Sequence, residues 1–178
     1  MVRQIYRGNL SFSDKVMSLD FTLIFLILIL GAISFFAMYS SEQGKIGYYT
    51  LSHIYRFSIF FMVFLIVSFF STQFWYKSSY LFYFIVLVLL FAVDFFGVVA
   101  SGSKRWISLY FLNLQPSELM KIALIIFLAR FYYKIPSENV TNLKYIITPV
   151  FALFIPVVLV ASQPDLGTAL LILIGGIA

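Results

Sequence analysis

Six ionisable residues in this chain could do chemistry, because each lies at or beside the end of a long apolar run. They are Asp94, Lys104, Arg105, Glu118, Lys121 and Asp165. A charged side chain at the centre of a membrane helix raises the free energy of insertion by about 2.5–3.5 kcal/mol. Such residues are therefore paired with an opposite charge or hydrated, and they usually indicate a functional site. Three cations and three carboxylates near one membrane face predict a wet, charged cavity between helices. Arginine binds a phosphate or diphosphate through two parallel hydrogen bonds, and lysine binds it as a point charge.

Each of these residues also has a structural explanation. Glu118 and Lys121 are three positions apart, so they share a helix face and could pair with each other. Asp165 precedes an apolar helical run and could be its N-cap. Arg105 and Trp106 could anchor the chain at the membrane interface. An ion pair between Lys121 and Asp165 would instead brace two helices that are separate in sequence.

The amino-acid composition indicates that these six residues belong to a membrane protein. The chain has 178 residues, of which 62% are hydrophobic and 11% charged, with a mean hydropathy of +1.02. Soluble domains are about 45–50% apolar and about 25% charged, so a soluble fold is excluded. Cysteine is absent and His53 is the single histidine, which argues against disulfides and zinc sites. The net charge of +5 is scattered between apolar runs, which argues against nucleic-acid binding.

The apolar runs predict an all-α, polytopic helical bundle with five complete transmembrane helices and the start of a sixth. The runs are Phe21 to Ser41, Ile54 to Ser71, Tyr80 to Ala100, Ser117 to Tyr133, Tyr145 to Ala161, and Leu166 to Ala178. Pro149 and Pro156 are expected to kink the fifth helix. The last run reaches roughly 20 Å, short of the hydrocarbon core. We therefore expect residues 1–178 to be one membrane domain truncated inside a larger bundle, with a re-entrant half-helix as the alternative.

The basic residues between the runs predict which end of each helix faces the cytoplasm. With a cytoplasmic N-terminus, seven of them lie inside and four outside, which agrees with the positive-inside rule. The inside set is Arg3, Arg7, Lys15, Lys77, Arg130, Lys134 and Lys144, and the outside set is Lys45, Arg56, Lys104 and Arg105. The connections from Ser101 to Pro116 and from Ser162 to Leu166 then both face outward.

Four motifs in order along the chain resemble the SEDS family, the shape, elongation, division and sporulation proteins. They are Val93-Asp94-Phe95-Phe96-Gly97, Gly102-Ser103-Lys104-Arg105-Trp106-Ile107, Gln115-Pro116-Ser117-Glu118-Leu119-Met120-Lys121, and Gln163-Pro164-Asp165-Leu166-Gly167-Thr168-Ala169. The residues in these motifs are more similar to the rod-shape-determining member of cell elongation than to the division member. The resemblance covers essentially the whole chain but only the first half of a fold with about ten helices.

The resemblance implies a peptidoglycan glycosyltransferase of the bacterial cytoplasmic (inner) membrane that polymerises lipid II. Its expected partners are a class B penicillin-binding transpeptidase and other membrane proteins of the elongation machinery. In the reaction the acceptor hydroxyl attacks the donor sugar at C1 and undecaprenyl diphosphate leaves. A carboxylate should take the hydroxyl proton, while cations or a divalent cation steady the diphosphate.

The resemblance also assigns roles to residues. Lys121, Asp165 and Glu118 are expected to support catalysis, while the probable general base lies in a later outward loop, beyond Ala178. The expected substrate-binding residues are Arg105, Lys104, Trp106, Gln115, Ser117 and Asp94. Lys121 and Asp165 are expected to form a salt bridge, and Asp94, Glu118 and Asp165 could instead hold a hard cation. A lipid II flippase, the division homologue and a non-catalytic membrane scaffold remain the alternatives.

Overall fold

In the part of the chain that the structure describes, six apolar helices of 12 to 25 residues follow one another, close to the six predicted runs. The computed structural model describes residues 11–100, 103–108, 113–136, 138 and 142–177. After a short helix α1 (Phe12–Met17) come α2 (Phe21–Ser41), α3 (Tyr48–Ser68), α4 (Thr72–Phe96), α5 (Pro116–Tyr133), α6 (Leu143–Ser162) and α7 (Leu166–Ile177). The prediction of a polytopic helical membrane fold is therefore confirmed. Five residues that the sequence analysis used lie outside the described residues, namely Arg3, Arg7, Ser101, Gly102 and Ala178.

Four of these helices could each cross a membrane by length and composition alone. They are α2, α3, α4 and the Tyr145–Ser162 part of α6. Helix α5 matches the predicted fourth span but carries three charged residues, Glu118, Lys121 and Arg130. Helix α7 has 12 residues and corresponds to the predicted start of a sixth span.

Two helix starts differ from the prediction. Helices α3 and α4 begin at Tyr48 and Thr72, where the sequence predicted Ile54 and Tyr80. Polar side chains near a helix end lower the local hydropathy without breaking backbone hydrogen bonds, so hydropathy locates the apolar middle of a helix and misses its ends. As a result Arg56, assigned from the sequence to the outer connections, lies within α3.

The chain divides into two compact units, an N-terminal unit up to Gln73 and a C-terminal unit from Phe74 onward. In the N-terminal unit α2 packs against α3. The ring of Phe57 occupies the space where a Cβ at Gly31 would lie, so the glycine permits a close approach there. Glu42, which follows α2, accepts hydrogen bonds from the backbone N–H groups of Tyr49 and Thr50 at 3.0 and 2.9 Å. The carboxylate thereby closes the turn into α3.

The C-terminal unit has a continuous apolar core. Helices α5, α6 and α7 pack against one another. The fully buried residues of this core are Val86 and Leu90 of α4, Met120, Ala123 and Leu124 of α5, Val160 of α6 and Ile172 of α7. The Tyr83 hydroxyl donates to the backbone carbonyl of Ala152 at 2.8 Å, which also joins α4 to α6. This core fixes the helix ends that carry the charged residues.

A small antiparallel sheet lies in the connection between α4 and α5. The sequence analysis predicted a loop from Ser101 onward and a helix up to Ala100, so the predicted end of the third span is wrong, because α4 ends at Phe96. Its strands are β1 (Val98–Ala100), β2 (Ser103–Ser108) and β3 (Asn113–Leu114), in the order β1-β2-β3. Val98 pairs with Trp106, and Ile107 pairs with Leu114. Strands of two to six residues carry too little alternation to be recognised from sequence. Gly97 allows the sharp end of α4, because a Cβ there would collide with the carbonyl oxygen of Val93.

Candidate functional site

The centre of the candidate site is the carboxylate of Asp165, which joins the connection between α6 and α7 to two points of the connection between α4 and α5. Arg105 of β2 places Nη1 3.2 Å from Asp165 Oδ2. Gln115, the residue before α5, donates from Nε2 to the same oxygen at 3.0 Å. The side chains of Arg105 and Asp165 are 26% and 10% exposed, so the pair is largely removed from water. The structure therefore brings three of the predicted site residues together.

The second oxygen of Asp165 caps helix α7. The backbone N–H of Thr168 donates to Oδ1 at 3.3 Å, so the predicted N-cap is confirmed. Burial raises the pKa of Asp165, but hydrogen bonds from Thr168 and the charge of Arg105 outweigh burial and hold that pKa below its ordinary value. Asp165 therefore combines a structural contact and a charged contact in one side chain, and it is ionised at neutral pH.

A second polar group lies at the C-terminal end of α4. Lys104 donates from Nζ to the backbone carbonyl of Asp94 at 2.6 Å, where a cation complements the negative end of the helix. Gln163, in the turn between α6 and α7, donates from Nε2 to Asp94 Oδ1 and to the carbonyl of Leu90, both at 3.0 Å. Gln163 is two residues from Asp165, and Lys104 is adjacent to Arg105. The contacts around Asp165 and those at the end of α4 are therefore joined through the backbone.

Lys121 does not pair with Asp165, so that expectation is wrong. Lys121 Nζ lies 2.9 Å from Glu118 Oε1 on the same helix, and Arg105 takes the place beside Asp165. A neighbour three positions along a helix is within reach without any tertiary contact. The alternative pairing of Glu118 with Lys121 is thus confirmed, and both side chains are more exposed than Asp165.

Three buried polar atoms of the site have no hydrogen-bond partner within the part of the chain that the structure describes. They are Arg105 Nε, Trp106 Nε1 and Ser117 Oγ. Each belongs to a predicted substrate-binding residue, and Ser117 is 2% exposed. Buried donors without acceptors are costly, so each of the three could be satisfied by a bound ligand or by water.

The residues do not fit the hard-cation site that the sequence left open. Asp94 accepts from Gln163, Glu118 pairs with Lys121, and Asp165 pairs with Arg105. Among the described residues, no group of three histidine or acidic side chains is placed to hold a metal ion. Each carboxylate already has its own amide or cationic partner.

Two residues of the site were not among the predicted site residues. Gln163 is 4% exposed and links α4 to the turn before α7, and Thr168 supplies the capping N–H to Asp165. Both belong to the fourth motif, so the motif itself held the signal. A polar amide at the end of an apolar helix needs buried partners, which would have identified Gln163.

The fold and the site together define a polytopic helical membrane protein with a polar, charged site at one end of its helices. The chain belongs to the FtsW, RodA and SpoVE family of cell cycle proteins, whose model matches residues 17–178.

Two relatives show the range of similarity within the family. The peptidoglycan glycosyltransferase MrdB of Escherichia coli K12 is 40% identical over 98 residues, covering 53% of this chain and 25% of that protein. A probable peptidoglycan glycosyltransferase FtsW of Escherichia coli O6:H1 is 29% identical over 174 residues, covering 93% of this chain and 42% of that protein. Sequence similarity therefore extends to relatives named MrdB and to relatives named FtsW.

Solved structures share the fold. The rod shape determining protein RodA of Thermus thermophilus aligns with a TM-score of 0.78 at 26% identity, over 89% of this chain and 52% of that chain. A peptidoglycan synthase complex that coordinates polymerization and crosslinking contains a chain that aligns with a TM-score of 0.77 at 26% identity, over 90% of this chain and 46% of that one. This chain thus spans between a quarter and about half of the length of these relatives.

Proposed function

We propose that the protein is a peptidoglycan glycosyltransferase that polymerises lipid II at the outer face of the bacterial inner membrane. The observation that carries the proposal is the Arg105–Asp165 pair at 3.2 Å, beside buried donors that lack partners in the described residues. Lipid II presents a diphosphate, and a fixed guanidinium is well suited to that group. The names of MrdB and FtsW support the same reaction class.

Arg105 is the residue we assign to the diphosphate. Asp165 pairs with Arg105, and Gln115 donates to the same carboxylate oxygen. The guanidinium is therefore positioned before the substrate arrives. A preorganised cation stabilises the negative charge that develops on the leaving diphosphate, because no reorganisation is needed during the reaction. Trp106 and Ser117 each carry a buried donor that has no partner among the described residues, so both stay candidates for substrate contacts.

Asp165 acts in this proposal as a positioning residue. A carboxylate whose pKa lies below its ordinary value is a weak base at neutral pH, so it is poorly suited to remove the acceptor proton. The general base is therefore expected in the part of the family's length that this chain does not span. Lys121 and Glu118, as an exposed pair near the start of α5, are proposed to support the site at its rim.

The cellular role that we propose is elongation and maintenance of rod shape, with a class B penicillin-binding transpeptidase as partner. The structural similarity to a rod shape determining protein supports the cellular role, and the similarity to a complex that coordinates polymerization and crosslinking supports the partner. Expression of the whole protein in cells depleted of either the elongation or the division polymerase would test it. Rescue of rod shape alone is expected, whereas rescue of division alone would assign the division role.

Synthesis of glycan strands from lipid II tests the activity directly. The whole protein, reconstituted with its transpeptidase partner, is expected to make strands, and Arg105→Gln should reduce the rate at least about tenfold. Lys45→Gln is the control for loss of one positive charge, because Lys45 is an exposed cation in the turn after α2. Normal synthesis by Arg105→Gln would overturn the role of Arg105. Movement of lipid II between leaflets without strand synthesis would favour a flippase, and rescue without either activity would favour a scaffold.

A further inference from the structure

A basic and aromatic cluster lies at the opposite end of α4 and α5 from the candidate site. We call it the Arg130 cluster, and it consists of Arg130, Lys134, Lys77, Tyr76 and Tyr80. Arg130 follows Glu118 by roughly 18 Å along α5, at about 1.5 Å per residue. The Arg130 cluster is therefore separate from the groups that surround Asp165, and the proposed polymerase activity makes no use of it.

Arg130 is held in this cluster by groups from α4. Its Nη1 donates to the backbone carbonyl of Lys77 at 2.7 Å and to the hydroxyl of Ser79 at 3.3 Å. Its guanidinium carbon lies 4.2 Å from the ring centre of Tyr80 and 5.0 Å from that of Tyr76. These contacts fix the position of the cation, but none of them supplies a full negative charge.

The cluster has an excess of positive charge. Lys134 Nζ lies 5.8 Å from the ring centre of Tyr80, so it shares that ring with Arg130. Residues four apart lie on the same helix face, where two like charges repel each other. All seven acidic residues of the chain are among those described, and none lies within 4.0 Å of Arg130 or Lys134. An anion from outside the chain would relieve this repulsion.

Tyrosines give the depth of the cluster in the membrane. Tyr76 and Tyr133 are in edge-to-face contact, and the ring of Tyr80 lies 5.0 Å from that of Phe127 at an interplanar angle of 56°, at the same end of α4 and α5. Tyrosine is enriched at the level of the lipid headgroups, where its ring is apolar and its hydroxyl is wet. The tyrosines therefore predict that the cations of the cluster lie at the depth of lipid phosphates.

We propose that the Arg130 cluster binds the phosphate of an anionic phospholipid headgroup. Arg130 and Lys134 supply the charge, and the rings of Tyr76 and Tyr80 hold the guanidinium in position. The alternative is a purely structural role, in which the cations complement the helix dipole at the C-terminal end of α5. That role would require no lipid. The two roles differ in one measurable respect, which is selectivity for anionic over zwitterionic lipid.

Lipid titration of the purified whole protein tests the proposal. In mild detergent, native mass spectrometry would count bound phosphatidylglycerol and, in parallel, bound phosphatidylcholine. Wild-type protein is expected to bind phosphatidylglycerol at least about tenfold more tightly. Each basic residue near an anionic surface contributes about a fivefold gain in affinity, so Lys134→Gln should lose about fivefold and Arg130→Gln/Lys134→Gln substantially more.

Controls separate charge from folding and lipid from soluble phosphate. Arg130 also braces α4, so Lys134→Gln, which removes only a ring contact, is the variant that decides the result if the double variant fails to fold. Lys45→Gln should bind the lipid as wild type does. Equal affinity for both lipids, or unchanged affinity in Lys134→Gln, would overturn the proposal. Displacement of the lipid by low concentrations of glycerol phosphate would assign the site to a soluble phosphate and overturn the lipid assignment.

Discussion

The guanidinium of Arg105 lies 3.2 Å from the carboxylate of Asp165, although one residue is on β2 and the other precedes α7. The same carboxylate accepts from Gln115, before α5, and from the backbone of Thr168. One side chain therefore fixes the relative positions of a strand and two helix starts. Loss of this contact should affect both the stability of the C-terminal unit and the geometry of the proposed diphosphate site.

The first prediction concerns energetic coupling between Arg105 and Asp165. Arg105→Gln and Asp165→Asn should each destabilise the protein, and the double variant should be less destabilised than the sum, with a coupling of about 0.5–3 kcal/mol. Both side chains are less than one-third exposed, so solvent screens the pair only in part. Unfolding in detergent mixtures, followed by circular dichroism, measures the cycle. Strict additivity would show that the pair contributes no coupling.

The second prediction uses the observed pairing of Lys121. Since Lys121 and Glu118 form a solvent-accessible pair on one helix, Lys121→Ala should cost no more than about 0.5 kcal/mol. Asp165→Ala should cost clearly more in the same unfolding measurement, because it leaves Arg105 without its anion. Equal costs for the two variants would instead indicate a contact between Lys121 and Asp165. Strand synthesis at the normal rate by Lys121→Ala/Asp165→Ala would remove both residues from the proposed mechanism.

The third prediction concerns acid stability. Because the pKa of Asp165 in the folded protein lies below its ordinary value of 3.8, the unfolded chain binds the proton more readily. The stabilisation from Asp165 is thus fully present above the ordinary value and is lost as pH falls through the folded-state pKa. Melting temperatures measured from neutral pH down to about pH 3 should fall more steeply for wild type than for Asp165→Asn. Parallel pH profiles would contradict a lowered pKa at Asp165.

The fourth prediction concerns Gln163, the buried amide that the sequence analysis did not assign to the site. Gln163→Leu removes hydrogen bonds to Leu90 and Asp94, and should destabilise the protein by about 1–3 kcal/mol. Ser162→Ala is a matched control, because the Ser162 hydroxyl donates to the backbone carbonyl of Leu159 in the last turn of α6, where the hydrogen bond is exposed. Chemical unfolding should separate the two variants, and an equally small effect of both would show that Gln163 does not brace α4.

The fifth prediction concerns Glu42 in the N-terminal unit. The Thr50 hydroxyl and the backbone N–H groups of Thr50, Tyr49 and Gly47 hold the pKa of Glu42 below its ordinary value. Glu42→Gln removes the charge from the start of α3, so the amides of Gly47, Tyr49 and Thr50 should exchange hydrogen several-fold faster. Gln43→Ala, in the same turn, should leave their exchange unchanged. Unaltered exchange in Glu42→Gln would show that the carboxylate is not needed to close the turn.

The sequence alone determined the class of protein and much of the helix pattern. Apolar runs longer than the hydrocarbon core must form helices, because every backbone polar group in lipid needs a partner within its own segment. Helix α2 accordingly has the predicted bounds, Phe21–Ser41, and α5 starts one residue before its predicted position. Asp165 as an N-cap and the Glu118–Lys121 pair were also predictable, because both contacts are local.

Only the tertiary structure decided which charges meet across the fold. The partner of Asp165 depends on where β2 carries Arg105, and the short strands that do so have no recognisable periodicity in the sequence. The bracing of α4 by Gln163 similarly depends on the packing of α6 against α7 and on the shared core with α4. Local rules of helix geometry set contacts three or four positions apart, whereas contacts between distant segments follow from how the whole apolar core packs.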